Sequence, residues 1–364
     1  MNHTTKQKVP IRNIIIYIVS AILVFAGGLL IFVSTGEYLP DDIEPVAITG
    51  SGSSSPSIGD SLRIATWNVG YGALSADQDF IMDGGSKVEP ESEAIVLDNL
   101  AGIQDFLTTN DLDIALLQEV DLHSERSYYN DETAVFAESF GGASTFAYNF
   151  NVYFVPFPVG LPSNMIGHVE SGVQTLTNFQ TEHAQRIALP SSYSWPVRTC
   201  QLKRCLLTQE IPLKDSDKNL VLVNLHLEAY APDEAKEAQT RILMDLVREE
   251  YEKGNYVIAG GDFNQTFPGV DPEAYPVLND DYFQAPIIDM ELPQGFRFVF
   301  DDTAPTSRLL NEPYSGSWET TQLYVIDGFL VSPNVQIDCV ETIRAEFQYS
   351  DHNPVILDVT LLDQ

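Results

Sequence analysis

The chain has 364 residues, 52 of them acidic and 19 basic, for a formal net charge of −33. That balance disfavours any mechanism in which a basic face grips a polyanion, and three cysteines are too few for a disulfide scaffold. A hydrophobic content of 44% suffices for one large core beside a membrane anchor.

Residues 1–13 carry Lys6, Lys8 and Arg12 and no acid, and read as a cytoplasmic N-terminus. Residues 14–33 follow without a charge, rich in Ile, Val and Leu. Twenty helical residues span about 30 Å, the thickness of a bilayer's hydrocarbon core, so this stretch predicts a transmembrane signal-anchor. A cleaved signal peptide is the competing reading, but Ser34-Thr35-Gly36 matches a cleavage site poorly. Glu37, Asp41, Asp42 and Glu44 lie beyond the span, so the positive-inside rule places everything after residue 36 outside the cell. The expectation is a single-pass cell-membrane protein with an extracellular domain. Residues 34–61, rich in Pro, Gly and Ser, read as a flexible linker. The folded domain is expected over residues 62–364, and it carries 47 of the acids and 16 of the bases.

Within the domain, strands and helices interleave. Residues 62–67 form an apolar strand, and 92–110 a helix with Val96, Leu100, Ile103 and Leu107 on one face. Strands are expected at 113–118 and 172–177, and a hairpin from 204–212 and 219–227. Residues 232–253 read as a helix opened by Pro232 and stopped by Gly254. Residues 256–259, 323–331, 341–347 and 355–361 complete the strands. Residues 121–153 and 271–317 lack a clear period and read as insertions or long loops. The aromatic-rich run 148–158 reads as core packing before it reads as a lipid contact, and Cys339 as core. A bridge between Cys200 and Cys205 is left open. Many strands with few helices suggest two packed sheets with helices outside.

Several of these strands end in polar residues that can do chemistry. The first runs into Trp67-Asn68, the second into Gln118-Glu119. A carboxylate closing such an apolar run either faces solvent at an edge or, if buried, needs a cation, and a hard divalent ion takes such oxygens while keeping waters. In 221–227, Asn224 and His226 share one face of the strand. Gly260-Gly261 precedes Asp262 and Asn264, and Asp327 sits alone in an apolar strand, where a histidine is its natural partner. Ser350-Asp351-His352-Asn353-Pro354 precedes the last strand, and an imidazole there can take a proton from water near neutral pH.

Trp67-Asn68, Gln118-Glu119, Asn224-Leu225-His226, Gly261-Asp262-Phe263-Asn264, Ile326-Asp327 and Ser350-Asp351-His352-Asn353-Pro354 stand in one order along the chain. In that order they resemble the endonuclease/exonuclease/phosphatase superfamily, which includes DNase I-like nucleases, neutral sphingomyelinases and inositol polyphosphate 5-phosphatases. The resemblance covers residues 62–361 and implies a four-layered α/β sandwich, two packed mostly antiparallel sheets flanked by helices. It also implies a metal-dependent phosphoric ester hydrolase. Glu119, assisted by Asn68 and with Asp351 directly or through water, would hold Mg²⁺, with Mn²⁺ as the alternative ion. His352 would be the general base and Asp327 would orient it. Asp262 and Asn264 would position water and phosphate, and His226 would donate to a phosphate oxygen. Asn224 and Arg126 are candidate substrate contacts, with an ion pair as the plain alternative for Arg126. Abasic-site endonucleases of the superfamily carry Asp where this chain has Gly70, which weakens that branch.

The expected function is therefore a membrane-tethered, outward-facing phosphoesterase for small or lipid-borne organic phosphates. Its partners are a phosphoester substrate, which can be a lipid, and the membrane through the N-terminal helix, with a monomeric catalytic domain. Duplex DNA fits poorly, because backbone binding draws on clustered Lys and Arg. An extracellular metal-dependent nuclease is the alternative. A catalytically retired binding protein is the third reading, and it predicts the loss of at least one key group.

Overall fold

A computed structural model describes residues 10–161, 164–191, 193–214, 216–230 and 232–363. Lys6 and Lys8, on which the expected cytoplasmic N-terminus rests, lie outside the described residues. The apolar stretch forms one continuous helix, α1 (Ile11–Thr35), whose 25 residues reach about 37 Å at 1.5 Å each.

The expected linker takes a different form. β1 (Ile43–Pro45) and β2 (Ile48–Gly50) are ladder strands, one on each sheet. The glycines here serve close approach rather than freedom. A Cβ on Gly52 would lie 1.9 Å from the carbonyl oxygen of Phe179. Composition cannot register this, because backbone groups pairing with a sheet edge need no side chain of their own.

The remaining elements follow in order as β3 (Ser61–Asn68), α2 (Glu93–Thr109), β4 (Ile114–Asp121), α3 (Glu132–Phe140), β5 (Ala143–Val155), β6 (Gly167–Thr177) and β7 (His183–Ala188). Then come β8 (Cys205–Pro212), β9 (Asn219–His226), α4 (Asp233–Glu252), β10 (Tyr256–Asp262), β11 (Arg297–Val299), β12 (Ser307–Arg308), β13 (Leu323–Tyr324), β14 (Asp327–Val331), β15 (Val335–Thr342) and β16 (Val355–Leu361). One sheet has the order β1-β7-β8-β9-β10-β14-β11 and the other β15-β16-β3-β4-β6-β5-β2. Within these sheets β3–β4 and β9–β10 pair in parallel and the other neighbours antiparallel.

Alternation along the strands sorts side chains into layers. Leu62, Ile64, Leu116, Leu222, Ile258, Phe329 and Leu357 fill the space between the sheets. Trp67, Ala115 and Leu117 point the other way, onto Val96, Leu100 and Ile103 of α2. Val221, Val223 and Val257 meet Leu243, Met244 and Val247 of α4. Helix, sheet, sheet, helix is the four-layered sandwich, with α1 outside these layers.

Residues 121–153 hold α3 and most of β5 rather than a long loop. The apolar run 323–331 splits, because Thr306 Oγ1 accepts from the N–H groups of both Ile326 and Asp327 as the chain passes from the short β12–β13 ladder to the large sheet. The strand expected at 341–347 lies earlier, at Val335–Thr342, and Glu346 and Phe347 instead take positive φ values of 52° and 56°. Cys200, Cys205 and Cys339 are all free thiols, and Cys339 is exposed rather than core.

Candidate active site

The inward rows that build the core also build the site. Leu62, Ile64, Thr66 and Asn68 share the inner face of β3, and Leu220, Leu222, Asn224 and His226 that of β9. Tyr256, Ile258, Gly260 and Asp262 run along β10, and Asp262 pairs in register with Asp327 at the start of β14. At the same edge, each row ends in a polar residue where the sheets open. Gly260 is required by this packing, since a Cβ there would stand 2.6 Å from a Phe329 ring carbon and 3.0 Å from Leu116.

Glu119 reaches the mouth by a departure from alternation. The β4–β6 register shifts between Leu117 and Val120, and Glu119 takes φ of 53° within the bulge. A left-handed non-glycine residue costs on the order of 1–3 kcal/mol and persists where surroundings hold it. Here Asn68 Nδ2 holds it, donating to Glu119 Oε1 at 3.0 Å and to Asp262 Oδ2 at 3.1 Å. Asn68 Oδ1 accepts from Gly70 N–H at 3.1 Å, so the amide acts first as a bridge. Gly70 has φ of 52°, and a Cβ there would lie 2.9 Å from Asp351 Oδ1, so the space belongs to Asp351.

His352 and Asp327 form a buried dyad, with Nδ1 to Oδ2 at 2.8 Å. Asp262 Oδ2 lies 3.8 Å from His352 Nε2 and 3.5 Å from His226 Nε2. Burial works against charge on His352, but Asp327, Asp351 and Asp262 outweigh it and hold its pKa well above the ordinary range. Burial, with Arg204 adding to it, drives His226 the other way, so it is a neutral imidazole rather than an ion-pair partner of Asp262. Burial lifts Asp262 to about 7, with Asp327 adding to the rise. Burial likewise lifts Asp351 to about 7, with Glu119 adding and His352 opposing. Two carboxyls at this mouth, Asp262 and Asp351, thus titrate near neutrality beside the imidazoles, where proton transfer is favoured.

Eight of the ten residues singled out in the sequence meet here: Glu119, His226, Asp262, Asn264, Asp351 and His352 line the cavity, and Asn68 and Asp327 are hydrogen-bonded to residues that do. Asn264, with φ of 51°, donates from its backbone N–H to Asp262 Oδ1 and from Nδ2 to Leu227 O. Asn224 is not a substrate contact. It is wholly buried one repeat deeper, donating to Leu117 O and Gln174 O across the sheets and accepting from Gln118 Nε2. Arg126 lines the cavity, yet it is buried and bidentate to Asp121, with its guanidinium 3.5 Å from the centre of the Tyr71 ring. Its ion pair is internal rather than at the surface, with Nε and Nη2 both taken by Asp121.

Tyr71, Arg204, Ser307 and Arg308 also line the cavity and escaped the sequence reading. Ser307 Oγ lies 3.3 Å from His352 Nε2, Arg308 keeps a buried Nε without a hydrogen-bond partner, and Arg204 Nε faces Glu228 at 3.8 Å. None ends an apolar run in the way the six motif clusters do, so no local signal marks them.

The donor set fits a hard divalent cation. Glu119 and Asp351 offer carboxylate oxygens at the mouth, and Asn68 has a second lone pair on its amide oxygen. Asp262, Asp327 and His352 place donor atoms within 4.8 Å of one another, and Asp327 Oδ1 and His226 Nδ1 are buried without partners. Carboxyls raised to about 7 by burial and neighbouring acids, beside such orphaned atoms, are what a bound cation and its waters would relieve.

The comparisons agree with this architecture. A crystal structure of an endonuclease/exonuclease/phosphatase from Beutenbergia cavernae DSM 12333 superposes with a TM-score of 0.55 at 17% identity, covering 83% of this chain and 72% of that one. One of the endonuclease/exonuclease/phosphatase from Bacteroides vulgatus gives 0.51 at 16% identity, covering 83% and 99%. D. rerio TDP2, complexed with single strand DNA product, gives 0.50 at 17% identity, again covering 83% and 99%. At such identities the likeness is one of fold. No curated protein sequence matches the chain. The model of the Endonuclease/Exonuclease/phosphatase family, a family that is generally hydrolytic and metal-dependent, matches residues 65–352. With ordered motifs, sandwich and family match in agreement, the chain belongs to the endonuclease/exonuclease/phosphatase family.

Proposed function

We propose that this protein is a membrane-tethered, outward-facing Mg²⁺-dependent phosphoesterase acting on small or lipid-borne organic phosphates. The observation that carries the chemistry is the 2.8 Å His352–Asp327 pair facing the Glu119–Asp351 mouth in one cavity. Asp327 accepts from Nδ1–H, so in the neutral ring Nε2 carries the lone pair that takes a proton from water. His226, kept neutral, donates to a phosphate oxygen without adding charge. Asp262 lies between the two imidazoles and, with Asn264, orients the attacking water and the phosphate. Glu119, positioned by Asn68, and Asp351 would hold Mg²⁺, or Mn²⁺ in its place. When bound, such an ion offsets the charge that builds on phosphate oxygens and the departing alkoxide. Tethering rests on α1, with acids beyond it and Lys6, Lys8 and Arg12 before or at its start. A duplex nuclease is disfavoured by the net charge of −33, and a retired binding protein by the intact key groups.

The test is a panel of phosphoesters offered to the full chain in detergent micelles, with and without Mg²⁺, beside His352→Ala. Mg²⁺-dependent turnover lost in the variant supports the reading. Equal turnover in parent and variant removes the base assignment. Nicking of plasmid in preference to every small or lipid phosphoester would select the nuclease.

A further inference from the structure

The cavity of about 490 Å³ that holds the dyad continues beyond the sandwich. Its wall runs from His352 and Glu119 along Phe150 and Ile166 to Leu29 and Val33 of α1. Val33 is only 7% exposed, whereas Ile31 and Phe32 are 66% and 48% exposed, so one side of the helix faces the cavity and the other is open. Leu29 precedes Thr35 by six residues, or about 9 Å along the axis. A bilayer's hydrocarbon core takes about 20 of the helix's residues, so Leu29–Val33 lie at the level where lipid chains meet headgroups.

The end of the helix is fastened to the domain. Trp195 Nε1 donates to Ser34 Oγ at 3.0 Å, and the Phe32 and Tyr153 ring centres are 6.2 Å apart. Glu37, nearly buried, accepts from Lys203 at 3.0 Å and pairs with Arg198 at 3.1 Å. Around this joint the surface is apolar: Val159, Leu161, Trp195 and Val197 are 93%, 70%, 54% and 54% exposed. Aromatic and aliphatic side chains beside a helix exit are the composition of a membrane-facing rim.

We propose that α1 is a wall of the substrate site, and that the occupant is a bilayer phospholipid reaching the dyad sideways from the leaflet in which α1 ends. This rests on the phosphoesterase reading above and adds the substrate class. The chains lie along Leu29 and Val33, and the phosphodiester reaches Glu119 and His352. The buried Nε of Arg308, without a hydrogen-bond partner in the same wall, suits an anionic phosphate. Water supplies the new P–O bond, one P–O ester bond breaks, and the departing alkoxide takes a proton. Phospholipid and water thus become an alcohol and a phosphomonoester.

The experiment uses the full chain in vesicles of phosphatidylcholine, sphingomyelin and phosphatidylglycerol in equal parts with Mg²⁺, beside soluble bis(p-nitrophenyl) phosphate. Leu29→Trp and Val33→Trp, which fill the passage, should lower turnover of vesicle lipid about tenfold more than that of the soluble diester. Val19→Trp, on the exposed helix away from the cavity, should alter neither. Equal losses on both substrates, or cleavage of the soluble diester with all three lipids untouched, would overturn the passage while leaving the phosphoesterase standing. Failure on the soluble diester as well would remove the phosphoesterase reading and the hydrolytic part of this one. A second measurement reads the passage without turnover: phosphatidylcholine carrying a diazirine on its acyl chain, photolysed with His352→Ala protein. Labels on the peptides holding Leu29–Val33 and Phe150–Ile166 support it, and labels confined to the outer faces of α1 refute it.

Discussion

Asp327→Asn keeps the shape of the buried dyad and removes its charge. The 2.8 Å contact joins two side chains that are 1% and 7% exposed, so solvent cannot replace what is lost. A hydrogen bond to a charged group in such a place contributes about 1.5–3 kcal/mol, or roughly 10- to 150-fold in rate. An amide can also present N–H to Nδ1, which moves the ring's own proton to Nε2 and disables the base. The combined expectation is a fall in kcat on the order of 10²–10⁴, with KM within about twofold. The pH profile carries a second signature. Burial opposes charge on His352, and Asp327 is the largest contributor raising its pKa. Because the base acts unprotonated, the acidic limb of kcat/KM should shift to lower pH in the variant. Steady-state hydrolysis of a soluble diester by the full chain with Mg²⁺, from pH 5 to 10, measures both. His352→Ala with Asp327→Asn should be about as slow as His352→Ala alone, since the pair acts as a unit. Additive losses in the double variant, or an unmoved acidic limb, would show that Asp327 does not act through His352.

Other substitutions probe the remaining assignments. Glu119→Gln should lower Mg²⁺-dependent turnover by about 10²–10³ and weaken Mg²⁺ binding by calorimetry, and chelation with EDTA should silence the parent. Asn224→Leu removes one acceptor from Gln118 Nε2 and the side-chain donor from the Leu117 and Gln174 carbonyls between the sheets, so unfolding stability should fall by about 1–3 kcal/mol while KM for the diester stays near the parent value; a KM effect without destabilisation would restore a substrate role. Arg126→Met leaves Asp121 buried and unpaired, which should cost about 3–5 kcal/mol by denaturant unfolding. Gly260→Ala drives a methyl against Phe329 between the sheets, and a loss of about 1–3 kcal/mol is expected in the same assay.

Elements with strong periodicity were legible in the chain. α2 and α4 begin and end within a residue of where apolar spacing, Pro232 and Gly254 put them, and the β8–β9 hairpin follows its alternation. Ladders made by backbone alone were not. β1 and β2 lie in a stretch whose Gly and Ser content reads as slack, because the partner strands β7 and β5 hold it and no side chain of its own announces them.

The site divides along the same line. A polar residue closing an apolar run is visible in one dimension, and six such clusters in family order name Asn68, Glu119, His226, Asp262, Asp327 and His352. What alternation cannot tell is depth. Asn224 and His226 share a face, yet one repeat puts the first in the inter-sheet core and the second at the mouth. Arg126 stands soon after Glu119 in sequence, but Asp121 and Ser171 claim its guanidinium. Only the packing of two sheets decides which inward side chains are covered and which meet the cavity. Only the fastening of Ser34 and Glu37 to the domain brings Leu29 and Val33 to its wall. Local order sets the chemistry a side chain carries, and long-range contact sets what it can touch.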